Sequence, residues 1–290
     1  MRNEISRFLL GWGLVLLAGP LAASGLTQTD AQVESSMLLT GSIHIAADGT
    51  VQKAEINKAQ KLMPALAEFI EQTALTWRFE PVMQQGTAVT VESPMSIRLV
   101  ARESGAGDYR AMIGGVGFDV YDPDDPTQVR WKSTRPPEYP NIVARAGVAA
   151  DVYLALKIGR NGKVEDSMVR QINVHALESE RTMERWRTAL ASASLRAARD
   201  WTFTPPSRGE AVNAPFWVVT VPVAFRLDPE PTKASEREAT WVAYVPGPLQ
   251  PLPWLAPTAY TTLPDVLPDG GVYLEGVARS PKLLTPLDPD

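Results

Sequence analysis

The chain has 290 residues, of which 44% are hydrophobic and 21% are charged, a balance typical of a soluble globular protein with room for two domains. Its formal net charge of −5 offers no basic surface for nucleic acid or anionic lipid, so nucleic-acid binding is not expected. The sequence contains no cysteine, which excludes disulfides, thiol nucleophiles and thiolate zinc sites.

The N-terminal segment has the layout of a secretory signal peptide. Two arginines precede the apolar run "FLLGWGLVLLAG", and Pro20 and the small residues "AASG" follow it. This pattern predicts a signal peptide over residues 1–24, cleavage after Ser24 and export of the remaining chain. The alternative is an uncleaved anchor, because residues 8–26 carry no charge and are just long enough to span a bilayer.

A first structural unit is predicted over residues 37–100. It begins with a hairpin, because Asp48-Gly49 in "IHIAADGTVQKAEI" suits a type I′ turn. After the turn the apolar spacing changes from two to three, which predicts a β-bulge. Counting back from Trp77 by helical steps gives a largely apolar stripe, so a helix is expected over about 63–76 with Pro64 in its first turn. The stripe consists of Thr73, Phe69, Leu66 and Leu62.

The first unit ends with the motif "LTWRFEP" and a third strand, "VTVESPMSIRL". Residues 101–135 follow and are predicted to form a linker, since they contain "GAG", "GGVG" and "DPDDP". The carboxylates Asp122, Asp124 and Asp125 lack the glycine and the distal glutamate of a calcium loop. We interpret them as part of a solvated connection.

A second unit over residues 136–228 repeats these signals. A strand alternates over 151–158 before the turn at Asn161-Gly162, and the bulge spacing recurs after it. A helix is expected over about 176–200, with Ala197, Ala193, Leu190 and Trp186 as its apolar stripe. The same order of hairpin, helix, Trp-x-Phe-x-Pro and Pro-x-x-x-Arg-Leu in both halves indicates a duplicated unit.

The Trp-x-Phe-x-Pro motif is predicted to close the core between helix and sheet. The tryptophan at the helix end and the phenylalanine two residues later face the same side once the period changes from 3.6 to 2. The proline then prevents further helix. These residues are Trp77, Phe79 and Pro81 in the first unit and Trp201, Phe203 and Pro205 in the second.

The second unit resembles the C-terminal domain of TonB, the periplasmic part of the energy transducer for outer-membrane receptors. The resemblance rests on the Tyr139-Pro140 lead-in, the Asn161-Gly162 turn, the motif at 201–205 and the final strand, and residues 37–100 resemble the same domain without the lead-in helix. It implies an α+β fold of two units, each a three-stranded antiparallel sheet packed against one or two helices. It also implies a periplasmic protein, or one anchored in the inner membrane and facing the periplasm. Unlike a TonB transducer, this chain has no histidine before residue 44.

The family binds by β-strand addition, in which a short extended segment of a receptor pairs with a sheet edge. The resemblance places this edge on the last strand of the second unit. The expected peptide-binding residues are Phe216, Val218, Thr220, Pro222, Ala224 and Arg226. Pro94 and Pro222 indicate that both third strands are edges, although a proline is equally a device against unwanted pairing. Arg98 and Arg226 are expected on the solvent side.

We therefore expect an exported binding protein, not an enzyme, with no cofactor, and with an outer-membrane receptor or another envelope protein as its partner. The alternatives are an anchored transducer, or a structural scaffold whose sheets pair with each other or with a second copy as a homodimer. His44 and His175 lack further ligands at metal spacing, so no metal site is expected. The proline-rich tail over residues 229–290 either packs on the two units or recruits a partner.

Overall fold

The computed structural model of the protein describes residues 33–105, 108–227, 238–256, 263–277 and 280–287. The expected signal peptide, its cleavage after Ser24 and the alternative anchor lie outside these ranges. Within them, none of the helices combines the length and the apolar character needed to cross a bilayer.

The elements fall into two similar series and a tail. The first series comprises β1 (Glu34–Ile45), β2 (Val51–Ile56), α1 (Pro64–Leu75), β3 (Met83–Gln84), β4 (Thr87–Ala88), β5 (Val91–Gly105) and β6 (Asp108–Gly117). The second comprises β7 (Arg130–Ser133), α2 (Asn141–Ala144), β8 (Ala150–Gly159), β9 (Val164–Val174), α3 (Glu180–Ala198), β10 (Thr202–Thr204) and β11 (Phe216–Phe225). The tail adds β12 (Val242–Tyr244), a 3-10 helix (Pro264–Val266) and β13 (Tyr273–Leu274).

Most of these strands lie in two antiparallel sheets, which have five and four strands and not the three predicted for each. The pairs β3–β4 and β7–β10 form two-stranded sheets. In the first sheet β1 lies between β2 and β5, and β5 also pairs with β6. In the second sheet β8 lies between β9 and β11. Each unit thus places its third strand beside the first strand of its hairpin. The fold is α+β, and the repeated strand order is the structural counterpart of the sequence repeat.

Each sheet buries one face against its helix. The first core contains Leu39, Ile43 and Ile97 together with Ile70 of α1. In the second core, every second side chain from Val152 to Ile158 is buried against α3, as the alternation over 151–158 predicts. The prediction of a single buried face is wrong, because Tyr153 and Ala155 on the opposite face are also buried. We call the face of each sheet that points away from its helix the back face.

The two helices are confirmed, and in chain order the first two members of each predicted stripe pack in the cores, but the last two positions of each stripe differ by one residue. α1 buries Ile70 and Ala74, whereas Phe69 is 42% exposed. α3 begins at Glu180, four residues later than expected, and buries Ser194 and Ala198 in place of Ala193 and Ala197. The reason is that each helix ends before its tryptophan, so the tryptophan no longer shares the helical phase from which the stripe was counted.

Both hairpins are present, but their turns are not type I′. Only Gly49 (φ 83°) and Gly162 (φ 74°) have positive φ, whereas a type I′ turn requires two such residues. Gly49 N–H donates to Ala46 O (2.9 Å), which is the bond of a type I turn followed by a left-handed glycine. The predicted bulges are confirmed, because pairing skips Gln52 in one unit and Glu165 at the equivalent place in the other.

The Trp-x-Phe-x-Pro motif closes the core as predicted and also contacts the turn. Trp77 and Phe79 are each 2% exposed, and Trp201 and Phe203 are 2% and 1% exposed. Phe79 N–H donates to Gly49 O and Phe203 N–H donates to the equivalent carbonyl oxygen of Gly162, both at 2.8 Å. The motif and the turn glycine therefore recur together because they are bonded to each other.

The Tyr139-Pro140 lead-in has a packing role. The Tyr139 ring meets Phe225 edge to face at 5.3 Å, and its hydroxyl donates to Val148 O (2.6 Å). Pro140 occupies the N-cap position of α2. The lead-in thus attaches the start of the second unit to the end of its last strand.

Two predictions about the first unit are wrong. β5 is not an edge over residues 96–105, because β6 pairs with it there. The linker predicted over 101–135 begins with the end of β5 and all of β6, and only the part after residue 117 connects the units. The apolar and glycine-rich run "AMIGGVG" signalled a linker because its three glycines interrupt strand periodicity. Pro94 is consistent with this arrangement, since it lies two residues before the β6 pairing starts.

Candidate functional site

The expected peptide-binding residues lie on the outer edge and back face of β11. Glu275 N–H donates to Val218 O (2.8 Å), so the backbone polar groups of Val218 point away from β8. Because these groups alternate along a strand, those of Thr220, Pro222 and Ala224 point the same way. The sequence thus identified the outward positions of β11 correctly.

This edge is not open along its whole length. The tail strand β13 pairs antiparallel with it, placing Val219 opposite Leu274 and Thr220 opposite Tyr273. The prediction of a free edge is therefore wrong for residues 218–220. A two-residue strand carries no hydrophobic period, so no pattern in the sequence predicts it.

A buried polar cluster fixes β13 on this edge. The Glu275 carboxylate accepts hydrogen bonds from Arg170 Nη1 (2.7 Å) and Thr220 Oγ1 (2.6 Å). The side chains of Arg170 and Glu275 are only 4% and 8% exposed. Burial raises the pKa of Glu275, although the Arg170 charge and the Thr220 hydrogen bond oppose this shift. The cluster joins β9, β11 and the tail, and sequence reasoning missed it because its members are 50 to 105 residues apart.

Pro222 limits the pairing on the remaining part of β11. Its ring nitrogen has no hydrogen, and by the alternation it faces the outer edge. Tail pairing stops at Thr220, one donor position before this proline. Residues 221–225 consequently offer an added strand fewer donors than an ordinary edge does. The structure favours the interpretation of Pro222 as a device that restricts edge pairing.

The tail also covers other edges of both sheets. β12 pairs with residues 34–36 of β1, beyond the end of β2. The next residue, Val245, exchanges both backbone hydrogen bonds with Val174 of β9, and Gln250 N–H donates to Arg170 O (2.8 Å). The tail therefore packs on its own units, and residues 242–245 bridge the two sheets.

The outer edge of β6 differs from these covered edges. Among the residues that the structure describes, no strand pairs with it. Its ten residues contain no proline, and the seven from Ala111 to Gly117 are uncharged. β2 also has an uncovered outer edge, but this strand is short and carries the exposed pair Lys53 and Glu55, which is a common protection against edge pairing.

Comparison with known proteins identifies no relative of this chain. No protein-family model matches the chain, and no curated protein or solved structure matches it. The candidate site is therefore interpreted from its own residues.

Arg98 and Arg226, the equivalent arginines of the two units, are on the back faces as predicted but are not solvated. Arg98 Nη1 contacts the hydroxyl of Tyr244 and lies 3.3 Å from Asp265 Oδ2. Arg226 donates to Ala150 O (2.8 Å) and pairs with Asp151. Alternation correctly predicted the face, but only the tertiary structure reveals that another layer covers it.

Asp151 joins Arg226 to the second histidine. His175 Nε2 lies 2.7 Å from Asp151 Oδ2. Burial alone would raise the pKa of Asp151, but the hydrogen bond with His175 and the charge of Arg226 outweigh it and lower this pKa to about 2. His175 thus contacts a carboxylate through Nε2, while His44 Nε2 lies 3.7 Å from Oε1 of the exposed Glu92. Within the described ranges, no three acidic or histidine side chains are grouped to hold a metal ion.

The lowered pKa predicts a specific acid sensitivity. Because the folded-state pKa of Asp151 lies below its unfolded value of about 3.9, its contribution to stability is complete above that value and is lost as the pH falls towards 2. We expect this contribution to be on the order of 2 kcal/mol. Urea unfolding at intervals from pH 5 to pH 2 measures it. Asp151→Asn should unfold with a shallower dependence on pH in this window, and a dependence equal to that of the original protein would contradict the assignment.

Proposed function

We propose that the protein is an exported binding protein that contacts an extended segment of an envelope protein, such as an outer-membrane receptor, by β-strand addition. The two units resemble the TonB C-terminal domain, and the orders β2-β1-β5 and β9-β8-β11 contain the three strands which that resemblance implies, within sheets of five and four strands. The observation that carries the proposal is the outer edge of β6, which is uncharged over residues 111–117 and has no strand paired with it among the described residues.

The contrast between covered and uncovered edges supports this choice. An exposed strand edge is a template for association, and proteins usually protect it with charges, prolines or covering segments. Here the tail covers parts of β1, β9 and β11, Pro222 restricts β11, and β2 carries charges. Over residues 111–117, within the described part of the chain, β6 has no charge, no proline and no paired strand on its outer edge. Val266 of the tail 3-10 helix packs against Gly115, and residues 115–117 are buried. An unpaired edge without charge or proline is suited to a partner strand.

This proposal moves the binding edge from β11 to β6. On β11 a partner must either displace Tyr273 and Leu274 or pair across the missing donor of Pro222. On β6 neither obstacle is present among the described residues. The anchored transducer is compatible with the same edge and differs from the main proposal only in retaining its N-terminal segment.

A second candidate function is a structural scaffold, and the tail contacts favour it. The strands contributed by the tail tie both sheets together without any added ligand. In this case β6 would pair with β6 of a second copy across a two-fold axis and form a homodimer. The two candidates therefore predict different occupants of the same edge.

A pair of adjacent proline substitutions tests strand capture. Successive N–H groups of a strand point to opposite sides, so Ala111→Pro and Met112→Pro remove donors on different sides of β6. We expect one variant to lose hydrogen bonds to β5 and unfold at lower urea concentration. The other should keep the original stability and lose partner binding.

The occupant is identified by cross-linking in the cell envelope. A photoreactive phenylalanine analogue at Tyr109, which is 66% exposed, lies at the start of the edge. The proposal expects cross-links to one extended segment of another envelope protein, and their loss in the stable proline variant. Cross-links to β6 of a second copy would establish the scaffold instead, and cross-links that persist in both proline variants would contradict strand addition.

A further inference from the structure

A cavity of about 600 Å³ lies between the back faces of the two sheets. Its walls include Ser96 and Arg98 of β5 and Asp151 and Tyr153 of β8, all of which point away from the helices. Tail residues within 238–244 and 265–269 complete the lining. The cavity thus combines both units and the tail, and its volume is within the range of small-molecule sites.

One part of the cavity wall is apolar. Side chains from β1, the connection after β6 and the tail form it. These residues are Leu38, Val120, Val242 and Leu267. An apolar wall of this kind gains free energy when it is covered by the hydrocarbon part of a ligand. It therefore favours an organic molecule over a simple ion.

The charged lining is predominantly acidic. Five carboxylates face two guanidinium groups and His175, and one of the five, Glu238, also pairs with Lys58 (3.1 Å). The carboxylates are Asp119, Asp151, Asp265, Asp269 and Glu238, and the guanidinium groups are those of Arg98 and Arg226. Both arginines already contact carboxylates, Arg98 near Asp265 and Arg226 at Asp151. The cavity consequently favours a cationic ligand over an anionic one.

Asp265 supplies the specific acceptor. Its side chain is only 8% exposed, and its Oδ1 atom is buried without a hydrogen-bond partner. Its Oδ2 atom lies 3.3 Å from Arg98 Nη1. Burial raises the pKa of Asp265 despite the nearby guanidinium charge. An unsatisfied buried acceptor is destabilising, so a ligand that donates a hydrogen bond to Oδ1 would gain affinity there.

Tyr153 places an aromatic ring and a hydroxyl beside this acceptor. It is 6% exposed, and Asp151, Asp265 and Asp269 lie close enough to influence its ionisation. Burial raises the pKa of Tyr153 well above its usual value, so the phenol stays neutral. A neutral phenol accepts a hydrogen bond from an ammonium group, and its ring face attracts a cation.

We propose that this cavity binds an organic amine whose ammonium group lies between Asp265 and Tyr153 and whose apolar body contacts Leu38, Val242 and Leu267. This site is separate from the β6 edge and does not rest on the proposed strand capture.

Three probes of equal chain length test the charge preference. Octylamine, octanol and octanoate share one apolar body and differ in a cationic, neutral or anionic head. Isothermal titration of the purified protein at pH 7 should show octylamine binding with one-to-one stoichiometry, at least tenfold tighter than octanol and with no detectable binding of octanoate. The amine is protonated at this pH, as a lysine side chain is.

Two substitutions locate the head group. Asp265→Asn should weaken octylamine binding at least tenfold and leave octanol binding unchanged. Tyr153→Phe removes only the hydroxyl and should weaken octylamine binding several-fold. This variant keeps the proposal testable if circular dichroism shows that Asp265→Asn is unfolded. Glu80→Gln is the matched control, because Glu80 pairs with Lys282 in an exposed position and is not part of the lining. Its affinity for octylamine should equal that of the original protein.

Other results would overturn the proposal. Octanoate binding as tight as octylamine binding would mean that the arginines form an anion site. Equal affinity for all three probes would mean an apolar cavity without charge selection. Octylamine binding that is unchanged in both Asp265→Asn and Tyr153→Phe would place the amine elsewhere, and the absence of binding by every probe would show that the cavity is not a site for this class.

Discussion

Gly162→Ala is expected to reduce the free energy of unfolding by about 2–4 kcal/mol, a large effect for one methyl group. Gly162 has φ of 74°, where an L side chain is strained, and a Cβ atom there would overlap the backbone carbonyl oxygen of Phe203. Relieving the overlap requires the Trp-x-Phe-x-Pro segment to move away from the turn and weakens the hydrogen bond from Phe203 N–H to Gly162 O. Urea unfolding followed by tryptophan fluorescence measures the change.

Gly147→Ala is the matched control in the same unit. Gly147 has φ of 67°, but no atom lies within 4 Å of the position that its Cβ would occupy. This variant should lose only about 1–2 kcal/mol of the free energy of unfolding, the cost of an L residue at positive φ. Gly49→Ala in the first unit should resemble Gly162→Ala, because its Cβ would overlap Phe79 O. Equal losses for Gly147→Ala and Gly162→Ala would show that contact with the motif is not what requires glycine.

Glu275→Ala should cost about 3–5 kcal/mol, because it leaves the Arg170 guanidinium group buried without its carboxylate partner. The substitution also removes the acceptor of the Thr220 hydroxyl. We expect the tail strand to leave β11, so the amide hydrogens of residues 273–275 should exchange faster with solvent. Chemical unfolding and hydrogen exchange measured by mass spectrometry provide the two readouts.

Two further variants distinguish the effect of breaking the buried Arg170–Glu275 pair from the effect of removing any charged side chain. Glu80→Ala removes an exposed partner of Lys282 and should cost less than about 1 kcal/mol. Arg170→Met combined with Glu275→Leu replaces both charges by apolar groups and should recover most of the lost stability. If the double variant is as unstable as Glu275→Ala, the loss comes from something other than the unpaired guanidinium group.

The repeated unit could be predicted from the sequence because its signals are local. Asp48-Gly49 and Asn161-Gly162 predict turns within a few residues, and the alternation over 151–158 predicts one buried face. The link between Phe203 and Gly162 spans some forty residues and was not predicted. Its sequence signal was the recurrence of both elements in the same order in each half.

The covering of the edges could not be predicted, because it depends on strands of two or three residues. Tyr273 and Leu274 have no period to detect, and the glycines of "AMIGGVG" conceal the regular strand β6. Their pairing is set by tertiary geometry, since backbone groups at an edge bond to whatever segment the fold places beside them. This is why the expected β11 edge is partly occupied while β6 was missed.

The candidate cavity also combines features that local sequence patterns predict with features that only the tertiary structure shows. Alternation placed Arg98 and Arg226 on the faces away from the helices, and this is correct. The sequence contains no signal that these two faces meet, because nothing in a strand's period identifies the layer that covers it. For the same reason no sequence pattern indicates Asp265, which lies in a proline-rich stretch far along the chain from both arginines.

The position of the edge-covering segments late in the chain has a consequence for biosynthesis. Residues 242–245 and 273–275 are made after both sheets, so β1, β9 and β11 stay incompletely paired until these residues emerge and bind. A nascent chain held at this stage exposes several strand edges at once, a state prone to aggregation. The time between the synthesis of β11 and that of the tail is therefore the period in which a chaperone would have the greatest effect on yield.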